Sequence, residues 1–455
     1  MKDGSIAIEV SPGETRAALI ASDQRLIEFH IDRLGRQSLL DGVYLGRVRH
    51  LEPTHSGAFV EITDGVTGFL NQSKGLTQGQ SIIVQVIRDA AGDKGPALTR
   101  RPVMRGRYLA ITPDGSDLSF AKELGAGREK ARLEELAPEL AGDGYGVSIR
   151  PAAAFAENEA ILDEASRLHD AWAEISDVAA AASAPALLSP PPNVIVRLLR
   201  DRATKGEIII DDRETFRETL MVVQDFMPDL YGLVRRHESP EPIFETLGIA
   251  DEVDILADRT TPIPRGGNLT IDSLEALTAI DVDRGAARGS GSREDAILTF
   301  NIAAIAEVAR QIRLRNIAGL IVIDLISMKH KAKKNVLLQA AKKAFRADPN
   351  PSDVLGLTAA GLLEVTRRRT GLPLSDWLNT PAPARLDDSA EACAALRAAL
   401  RESATGALTI DAPEGIISQM EGPLRPALNA VNRKLGRDLI LRPDPSRTRF
   451  DLHRQ

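Results

Sequence analysis

The stretch LEALTAIDVDRGAARG, residues 274–289, runs an apolar segment directly into Asp281 and Asp283. A second apolar segment, AGLIVIDLISM at residues 318–328, runs into Asp324 in the same way. Between them, residues 292–315 read SREDAILTFNIAAIAEVARQIRLR and have the apolar spacing of a long helix. We expect Gly319 to stop this helix. The order strand, helix, strand predicts a layered α/β domain.

In such a domain, the residues at the carboxyl ends of the strands face a shared cleft. Asp281 and Asp324 are therefore predicted to lie close together, and Asp283 points the same way if its strand continues. Two such carboxylates suit magnesium, which takes one or two carboxylates, several waters and a phosphate oxygen. The alternative interpretation is that each aspartate only begins a turn.

The region around these aspartates is basic, although the chain as a whole is acidic. The formal net charge of −7 argues, taken alone, against a nucleic-acid-binding protein. Residues 281–370, however, contain sixteen lysines and arginines against nine aspartates and glutamates. The densest run is MKHKAKKNVLLQAAKKAF, residues 328–345, which has a helical pattern and includes Lys329, Lys331 and Lys333. This run is either a phosphate-binding surface or an ordinary solvated helix face.

Length and composition limit the class of protein. A chain of 455 residues is long enough for several domains. Hydrophobic residues at 43% and charged residues at 27% are typical of a soluble globular protein. The single cysteine, Cys393, excludes an internal disulfide and suits a reducing compartment. With no signal-peptide pattern and no apolar run long enough to span a membrane, the sequence predicts a cytoplasmic protein.

The rest of the chain reads as short strands and helices. Residues 5–33 predict a hairpin and one more strand, too few to bury a core alone. Residues 41–101 contain about five short strands, which suggests a small closed barrel. Helices are predicted at 129–140 and 157–175, and a linker or exposed loop at 179–192. Strands are predicted at 193–201, 206–212 and 230–237, and a proline-rich break at 379–388.

Several of these motifs together resemble the ribonuclease E/G family. The catalytic region of that family is similar to residues 262–289, 298–328 and GLLEVTRRR at 361–369. VYLGRVRHLEPTHSGAFVEITDGVTGFL, residues 43–70, resembles its RNA-binding barrel, and residues 193–264 resemble its RNase H-like segment. The resemblance covers roughly residues 1–380.

The resemblance implies a multidomain α+β and α/β architecture. We expect a split RNase H-like subdomain at 1–37 and 193–258, and an S1-type OB barrel at 38–101. A five-prime sensor-like region at 102–192, a DNase I-like catalytic subdomain at 259–380 and a small C-terminal domain at 389–455 complete it. The split explains the incomplete N-terminal hairpin, because its sheet partners are then expected after residue 193.

The resemblance also implies an endoribonuclease that cleaves single-stranded RNA by magnesium-dependent hydrolysis, in RNA processing or decay. Asp281 and Asp324 match the aspartates that bind magnesium. Asp283 stands where the family usually has an asparagine that hydrogen-bonds one of them. Three carboxylates in one small site would repel one another unless a cation is present.

Further positions match residues that bind RNA in the family. Phe59 and Phe69 match aromatic side chains that stack on bases, although phenylalanine in a small barrel is otherwise a core residue. Lys94 matches a basic residue beside them, and Arg150 matches the arginine that binds the five-prime phosphate. The basic run from Lys329, together with Arg367, Arg368 and Arg369, is expected to hold the strand by its phosphates.

Some positions depart from the family. Pro151 replaces the threonine whose hydroxyl and N–H would complete the phosphate pocket, so the sensor is expected to be weak or lost. Ser327 replaces an aspartate, and Ala359 with Ala360 replaces a basic and aromatic pair. The paired cysteines with which the family shares a zinc between subunits are missing, and Cys393 is the single cysteine of the chain. We therefore expect no structural zinc, and any homo-oligomer must form without it.

Two functions remain open from the sequence. One is an active endoribonuclease, and the other is an RNA-binding homologue with reduced or no cleavage. The departures at Asp283, Ser327 and Ala359 suggest the second function. The presence of both metal-binding aspartates favours the first.

Overall fold

The computed structural model describes residues 4–52, 56–90, 94–141, 144–202, 205–264, 266–285, 292–378, 387–402 and 406–454. The chain divides into two compact units, of which the first contains residues 1–8 and 37–239. The second contains residues 9–36 and 240–455. Most of the predicted proline-rich break, residues 379–386, lies outside the described residues.

The strands of the described residues are short, and several have the alternating burial of a sheet with one covered face. In the first half of the chain they are β1 (Ser5–Ser11), β2 (Glu14–Ile20), β3 (Leu26–Arg33), β4 (Val43–Glu52), β5 (Gly57–Thr63), β6 (Val66–Asn71), β7 (Ser81–Arg88), β8 (Ala97–Thr99), β9 (Met104–Arg105), β10 (Leu109–Pro113), β11 (Leu118–Phe120), β12 (Tyr145–Ile149), β13 (Ala186–Ser189) and β14 (Ile208–Ile210). They continue with β15 (Val234–Arg236), β16 (Thr260–Pro262), β17 (Asn268–Ser273), β18 (Thr278–Asp283), β19 (Gly319–Asp324), β20 (Ser352–Leu357), β21 (Leu363–Arg367), β22 (Leu408–Ala412), β23 (Ile440–Pro443) and β24 (Asp451–Arg454).

The helices lie between these strands and are mostly amphipathic. They are α1 (Arg128–Ala141), α2 (Asn158–Ala181), α3 (Val194–Asp201), α4 (Arg213–Phe226), α5 (Ile243–Thr246), α6 (Ala250–Asp254), α7 (Arg293–Leu314), α8 (Lys331–Arg346), α9 (Leu374–Leu378), α10 (Asp388–Arg401), α11 (Glu414–Glu421) and α12 (Arg425–Leu435). Within the described residues, no helix combines the length and apolar character that a membrane crossing requires.

A five-stranded barrel lies in the first unit, as the sequence predicts. Its strands follow the order β4, β5, β6, β8 and β7, and the pairing of β4 with β7 closes it. Inward residues such as Val48, Val60 and Val84 fill the interior. Strand β13 adds to β4 from residues that the sequence assigns to a linker, so that prediction is wrong at Ala186–Ser189. Pairing with β4 satisfies backbone groups that a loop would leave to water.

The remainder of the first unit contains two small sheets. Strands β11, β12, β10 and β9 form one sheet, and α1 and α2 share its apolar core. In the other, Ile6–Ile8 of β1 pair in parallel with Ile208–Ile210 of β14, which pairs with β15. The expected sheet partner of the N-terminal hairpin after residue 193 is therefore present.

One predicted strand of the first unit is a helix. NVIVRLLRD forms α3, where Asn193 caps the helix by accepting a hydrogen bond from the N–H of Val196 at 2.8 Å. The run Val194–Ile195–Val196 indicated a strand, but a short apolar run does not by itself separate strand from buried helix. Asn193 was the local signal for a helix start.

The second unit is built around a six-stranded sheet in the order β16, β17, β18, β19, β21 and β20. Strands β18 and β19 are parallel, and α7 connects them. Helices α7 and α8 bury one face of the sheet, which includes Ile280, Ile321 and Ile323. The helix ends at Leu314, before Asn316 with φ 47°, so the prediction that Gly319 stops it is wrong. Asparagine tolerates this left-handed conformation and ends the helix here.

The last part of the second unit is a small three-stranded sheet with helices. Strand β22 pairs in parallel with β23 and antiparallel with β24. Helices α10, α11 and α12 contribute the buried residues that share its core, among them Cys393. Burial raises the pKa of the Cys393 thiol to about 12, and the carboxylate of Glu14 acts in the same direction. At neutral pH this thiol is therefore protonated and a poor metal ligand.

Candidate active site and RNA-binding surfaces

The register of two neighbouring strands brings the two predicted aspartates together. Asp281 of β18 pairs with Asp324 of β19 in the parallel ladder. Paired residues of neighbouring strands point to the same face, and the strands lie about 4.8 Å apart. Ile280 and Ile323, one position earlier, pair on the buried face. Asp281 and Asp324 are therefore neighbours on the exposed face of the sheet.

Neither carboxylate has a hydrogen-bond or ion-pair partner among the described residues. Asp283 is also exposed, but its Oδ1 accepts a hydrogen bond from the N–H of Gly285 at 2.9 Å. Among the described residues, no group of three or more His, Cys, Asp or Glu side chains is arranged to hold a metal ion. The arrangement is thus a pair of carboxylates, which agrees with the one or two carboxylates that usually bind magnesium.

The turn after β18 depends on a glycine. Gly267 has φ 86°, and a Cβ there would lie 2.3 Å from the carbonyl oxygen of Asp283. A side chain would therefore collide with the backbone that carries Asp283. Glycine therefore permits this close approach between the backbone of residue 267 and the end of β18.

Asn301 is a site-positioning residue that the sequence analysis did not identify. It is fully buried in α7, and its Nδ2 donates to the carbonyl oxygen of Ile326 at 2.8 Å. Its Oδ1 accepts from the N–H of Ile326 at 3.2 Å. Both bonds hold the segment that follows Asp324. A polar residue on the apolar face of a predicted helix was the available signal, since a buried amide needs such partners.

The predicted basic run forms α8, directly after this segment. The first turn of α8 contains no acidic residue and carries Lys331 and Lys333, the reverse of the pattern that the helix dipole favours. Lys333 forms an ion pair with Asp295 at 2.8 Å, whereas Lys329 and Lys331 are exposed. An anion bound here would relieve the repulsion between the lysines and the helix dipole.

Arg367 does not belong to this basic surface, so its predicted contact with phosphates is wrong. It is only 4% exposed, and its Nε donates to Asp348 Oδ2 at 2.8 Å. Its Nη1 also donates to Asn316 Oδ1 and to the carbonyl oxygen of Ile317. Alternation along β21 turns this arginine inward, while Arg368 and Arg369 beyond the strand are exposed.

The aromatic residues predicted to stack on RNA bases lie side by side on the barrel. Phe59 of β5 pairs with Phe69 of β6, and the ring centroids are 5.4 Å apart at an interplanar angle of 64°. Phe59 is 39% exposed, so it is not a core residue. The Phe69 ring covers Gly57, where a Cβ would lie 2.3 Å from Cζ of that ring.

Two polar residues flank this pair. Lys94 is exposed and lies two residues before Pro96, whose carbonyl oxygen accepts the N–H of Phe69 at 2.8 Å. His50 of β4 lies on the other side, with its ring 6.4 Å from the Phe59 ring. His50 was not identified from the sequence, because strand alternation alone places it inside the barrel.

Arg150, the predicted phosphate-binding residue, is held by the protein itself. Its Nη2 donates to Asp201 Oδ1 at 2.6 Å, and its Nη1 donates to the carbonyl oxygen of Gly106. Asp201 also accepts from Nε and Nη2 of Arg200, both at 2.9 Å. Burial opposes ionisation of Asp201, but the charges and hydrogen bonds of Arg200 and Arg150 outweigh it and lower the pKa of Asp201.

Several residues that depart from the family pattern lie in turns and connections of the structure. Pro151 begins a short 3₁₀ turn directly after Arg150 and offers no N–H. Ser327 is exposed three residues after Asp324. Ala359 and Ala360 are exposed in the connection between β20 and β21.

Comparison with known proteins identifies the family. A model of the ribonuclease E/G family matches residues 103–370. Ribonuclease G of Escherichia coli K12 is 30% identical over 390 residues, which cover 80% of each chain. Ribonuclease E of a Nostoc species is 31% identical over 389 residues, which cover 81% of this chain and 56% of that protein. Ribonuclease G of Haemophilus influenzae is 29% identical over 403 residues. The chain therefore belongs to the ribonuclease E/G family.

Proposed function

We propose that this protein is an endoribonuclease that cleaves single-stranded RNA by magnesium-dependent phosphodiester hydrolysis, in RNA processing or decay. The observation that carries the proposal is the in-register pair Asp281 and Asp324 on an exposed sheet face. Membership of a family whose relatives are named ribonucleases supports it. We further propose that the protein acts in the cytoplasm.

The two carboxylates fit a magnesium ion. They are neighbours, they are exposed, and they have no cationic partner among the described residues, so their mutual repulsion favours a bound cation. When bound, magnesium supplies positive charge that polarises the scissile phosphate. Asp281 and Asp324 would hold the ion. Asn301 keeps the segment after Asp324 in place through Ile326, and Asp283 caps the turn after β18.

The remaining residues would bind the RNA. Exposed Lys329 and Lys331 near the start of α8, with Lys333 beside them, would contact phosphates. Phe59 and Phe69 would stack on bases, and Lys94 would contact the backbone beside them. Stacking requires unpaired bases with exposed faces, so this surface would select single strands over duplex.

We also propose the subdomain identities that the resemblance implies. The barrel would be S1-type, the sheet that carries β18 and β19 would be DNase I-like, and the five-stranded sheet that contains β1, β14 and β15 would be RNase H-like. With one buried cysteine of raised pKa, a zinc link between subunits is not part of the proposal. Any homo-oligomer would form through other contacts.

The test is cleavage of an end-labelled, A/U-rich single-stranded RNA with magnesium and with a chelator. We expect internal cleavage that needs magnesium and leaves five-prime phosphate ends. Binding of the same RNA without cleavage at any magnesium concentration would instead support the alternative, an RNA-binding homologue that has lost catalysis. The absence of both binding and cleavage would reject the proposed function.

A further inference from the structure

A β-bulge in the barrel turns His50 to the outside. Along β4, Val48 is buried opposite Val60, so regular alternation would place His50 in the interior as well. The register shifts between these two residues, and His50 pairs with Phe59. Consequently Arg49 and His50 are consecutive exposed residues. Bulges commonly re-aim side chains next to functional sites.

The bulge extends the aromatic pair to a row of three rings. His50, Phe59 and Phe69 occupy paired positions on β4, β5 and β6. The His50 and Phe59 rings are 6.4 Å apart and inclined by 30°, and the Phe59 and Phe69 rings are 5.4 Å apart. Leu51, the next residue along β4, packs against the barrel core. The strand thus returns to its regular alternation immediately after presenting His50.

His50 has no structural task that accounts for its exposed position. Its side chain forms no hydrogen bond or ion pair with the described residues. Its neighbour Arg49 is already held by Glu61 at 2.5 Å. A ring without a polar partner, placed beside two other rings on an exposed surface, is suited to stacking on a flat aromatic ligand.

We infer that His50 is a third base-stacking side chain, which binds the base next to the one on Phe59 in a single-stranded RNA. The inference rests on the proposed function and adds one nucleotide to the binding site. Three stacked bases restrict the orientation of the strand more than two. His50 would therefore be a specificity-determining residue that favours substrates with at least three consecutive unpaired nucleotides.

The direct test is binding of a short fluorescent single-stranded RNA to the full-length protein in a chelator, measured by anisotropy. His50→Ala should weaken binding by about tenfold, the loss expected for one stacked base. His50→Phe keeps an aromatic ring and should bind within about twofold of the unchanged protein. Ile87→Ala is the matched control, because Ile87 is an exposed apolar residue on β7 of the same barrel and lies outside the row. This control should have no effect.

Abasic substitution locates the contact. Removing one base at a time from the RNA should reveal a position whose loss weakens binding to the unchanged protein but not to His50→Ala. A second position should lose its effect only in Phe59→Ala, and the two positions should be adjacent in the RNA. If removing both the base and the side chain costs less affinity than the sum of the two single changes, the base and the side chain are in contact.

Each other outcome overturns the inference. Normal binding by His50→Ala, with weak binding by Phe59→Ala, would reject the role of His50 and leave the proposed function intact. If His50→Ala and His50→Phe lose the same affinity for RNA, His50 binds through a histidine-specific hydrogen bond and not through stacking. If the unchanged protein binds no single-stranded RNA, the inference and the proposed function fail together.

Discussion

The aspartate pair of the second unit and the arginine cluster of the first unit differ in whether their charges are already satisfied. Asp281 and Asp324 are exposed like charges in adjacent positions, without partners among the described residues. Arg150 donates to Asp201 and to the carbonyl oxygen of Gly106, and Asp201 accepts from Arg200 as well. In the sequence, Arg150 is predicted as a ligand-binding residue by resemblance to the family, and the two aspartates are predicted both by that resemblance and by the strand pattern.

The difference shows that a matching residue type does not establish a binding site. An unpaired carboxylate pair is electrostatically unfavourable until a cation binds, so its free energy favours a ligand. A largely buried guanidinium that already has an anion, such as that of Arg150, must lose a charge-assisted hydrogen bond before it can bind a phosphate. We therefore propose that the aspartate pair binds a ligand and that the arginine cluster contributes to stability. Four measurements test this proposal.

The largest effect should follow from removing one charge of the aspartate pair. Asp281→Asn or Asp324→Asn should lower the cleavage rate at least about 100-fold, because polarisation of the phosphate is worth several kcal/mol. RNA affinity should stay within a few-fold, since other residues hold the strand. Asp272→Asn is the matched control, because Asp272 lies on the same sheet in an exposed pair with Arg259. Full activity in either site variant would reject the metal site.

Disrupting the arginine cluster should instead lower the stability of the fold. Asp201→Asn should lower the free energy of unfolding by about 2 kcal/mol at neutral pH, because Arg150 loses its carboxylate partner and the buried Arg200 keeps only Asp41. The Asp201 pKa is lowered in the folded protein, so its contribution is complete above about pH 5 and declines as the pH falls further. Denaturant unfolding at pH 7 and pH 3 would measure this. An unchanged stability at pH 7 would mean that Arg150 is free to bind ligands.

The barrel provides the third measurement. Phe59→Ala should slow cleavage by about tenfold, the effect of losing one stacked base. Substrates with five-prime monophosphate and five-prime hydroxyl ends should be slowed alike, because entry through the barrel does not involve the end. Rates on matched oligonucleotides would show this. If Phe59→Ala slows cleavage of only one of the two substrates, the barrel takes part in recognition of the five-prime end.

The smallest effect should be that of the five-prime phosphate itself. The unchanged protein should cleave monophosphorylated and hydroxylated RNA at rates within about twofold, since Arg150 is occupied and Pro151 supplies neither hydroxyl nor N–H. The same side-by-side rates test this. A strong preference for monophosphate that disappears in Arg150→Ala would show that the RNA phosphate displaces Asp201, and would break the comparison.

Much of the barrel and of the sheet that carries Asp281 and Asp324 could be predicted from the sequence. The strands of residues 41–101, the helix at 293–314 and the aspartates after two apolar runs all follow from patterns within about twenty residues. The apolar run of NVIVRLLRD suits both a strand and a helix, and locally only the capping residue Asn193 favours the helix that forms. The sequence predicts a linker at the position of β13, because the partner strand β4 lies more than 130 residues earlier.

The sequence by itself determined which residues could take part in the chemistry, because side-chain type and local periodicity are properties of the chain. Tertiary structure alone decided which of these residues are exposed and free of protein partners, and so are able to bind a ligand. The register that pairs Asp281 with Asp324 and the bulge that exposes His50 both arise from contacts between separate strands. The ion pair that occupies Arg150 joins residues 51 positions apart. These outcomes depend on pairing energies between distant segments, and a local pattern carries no information about them.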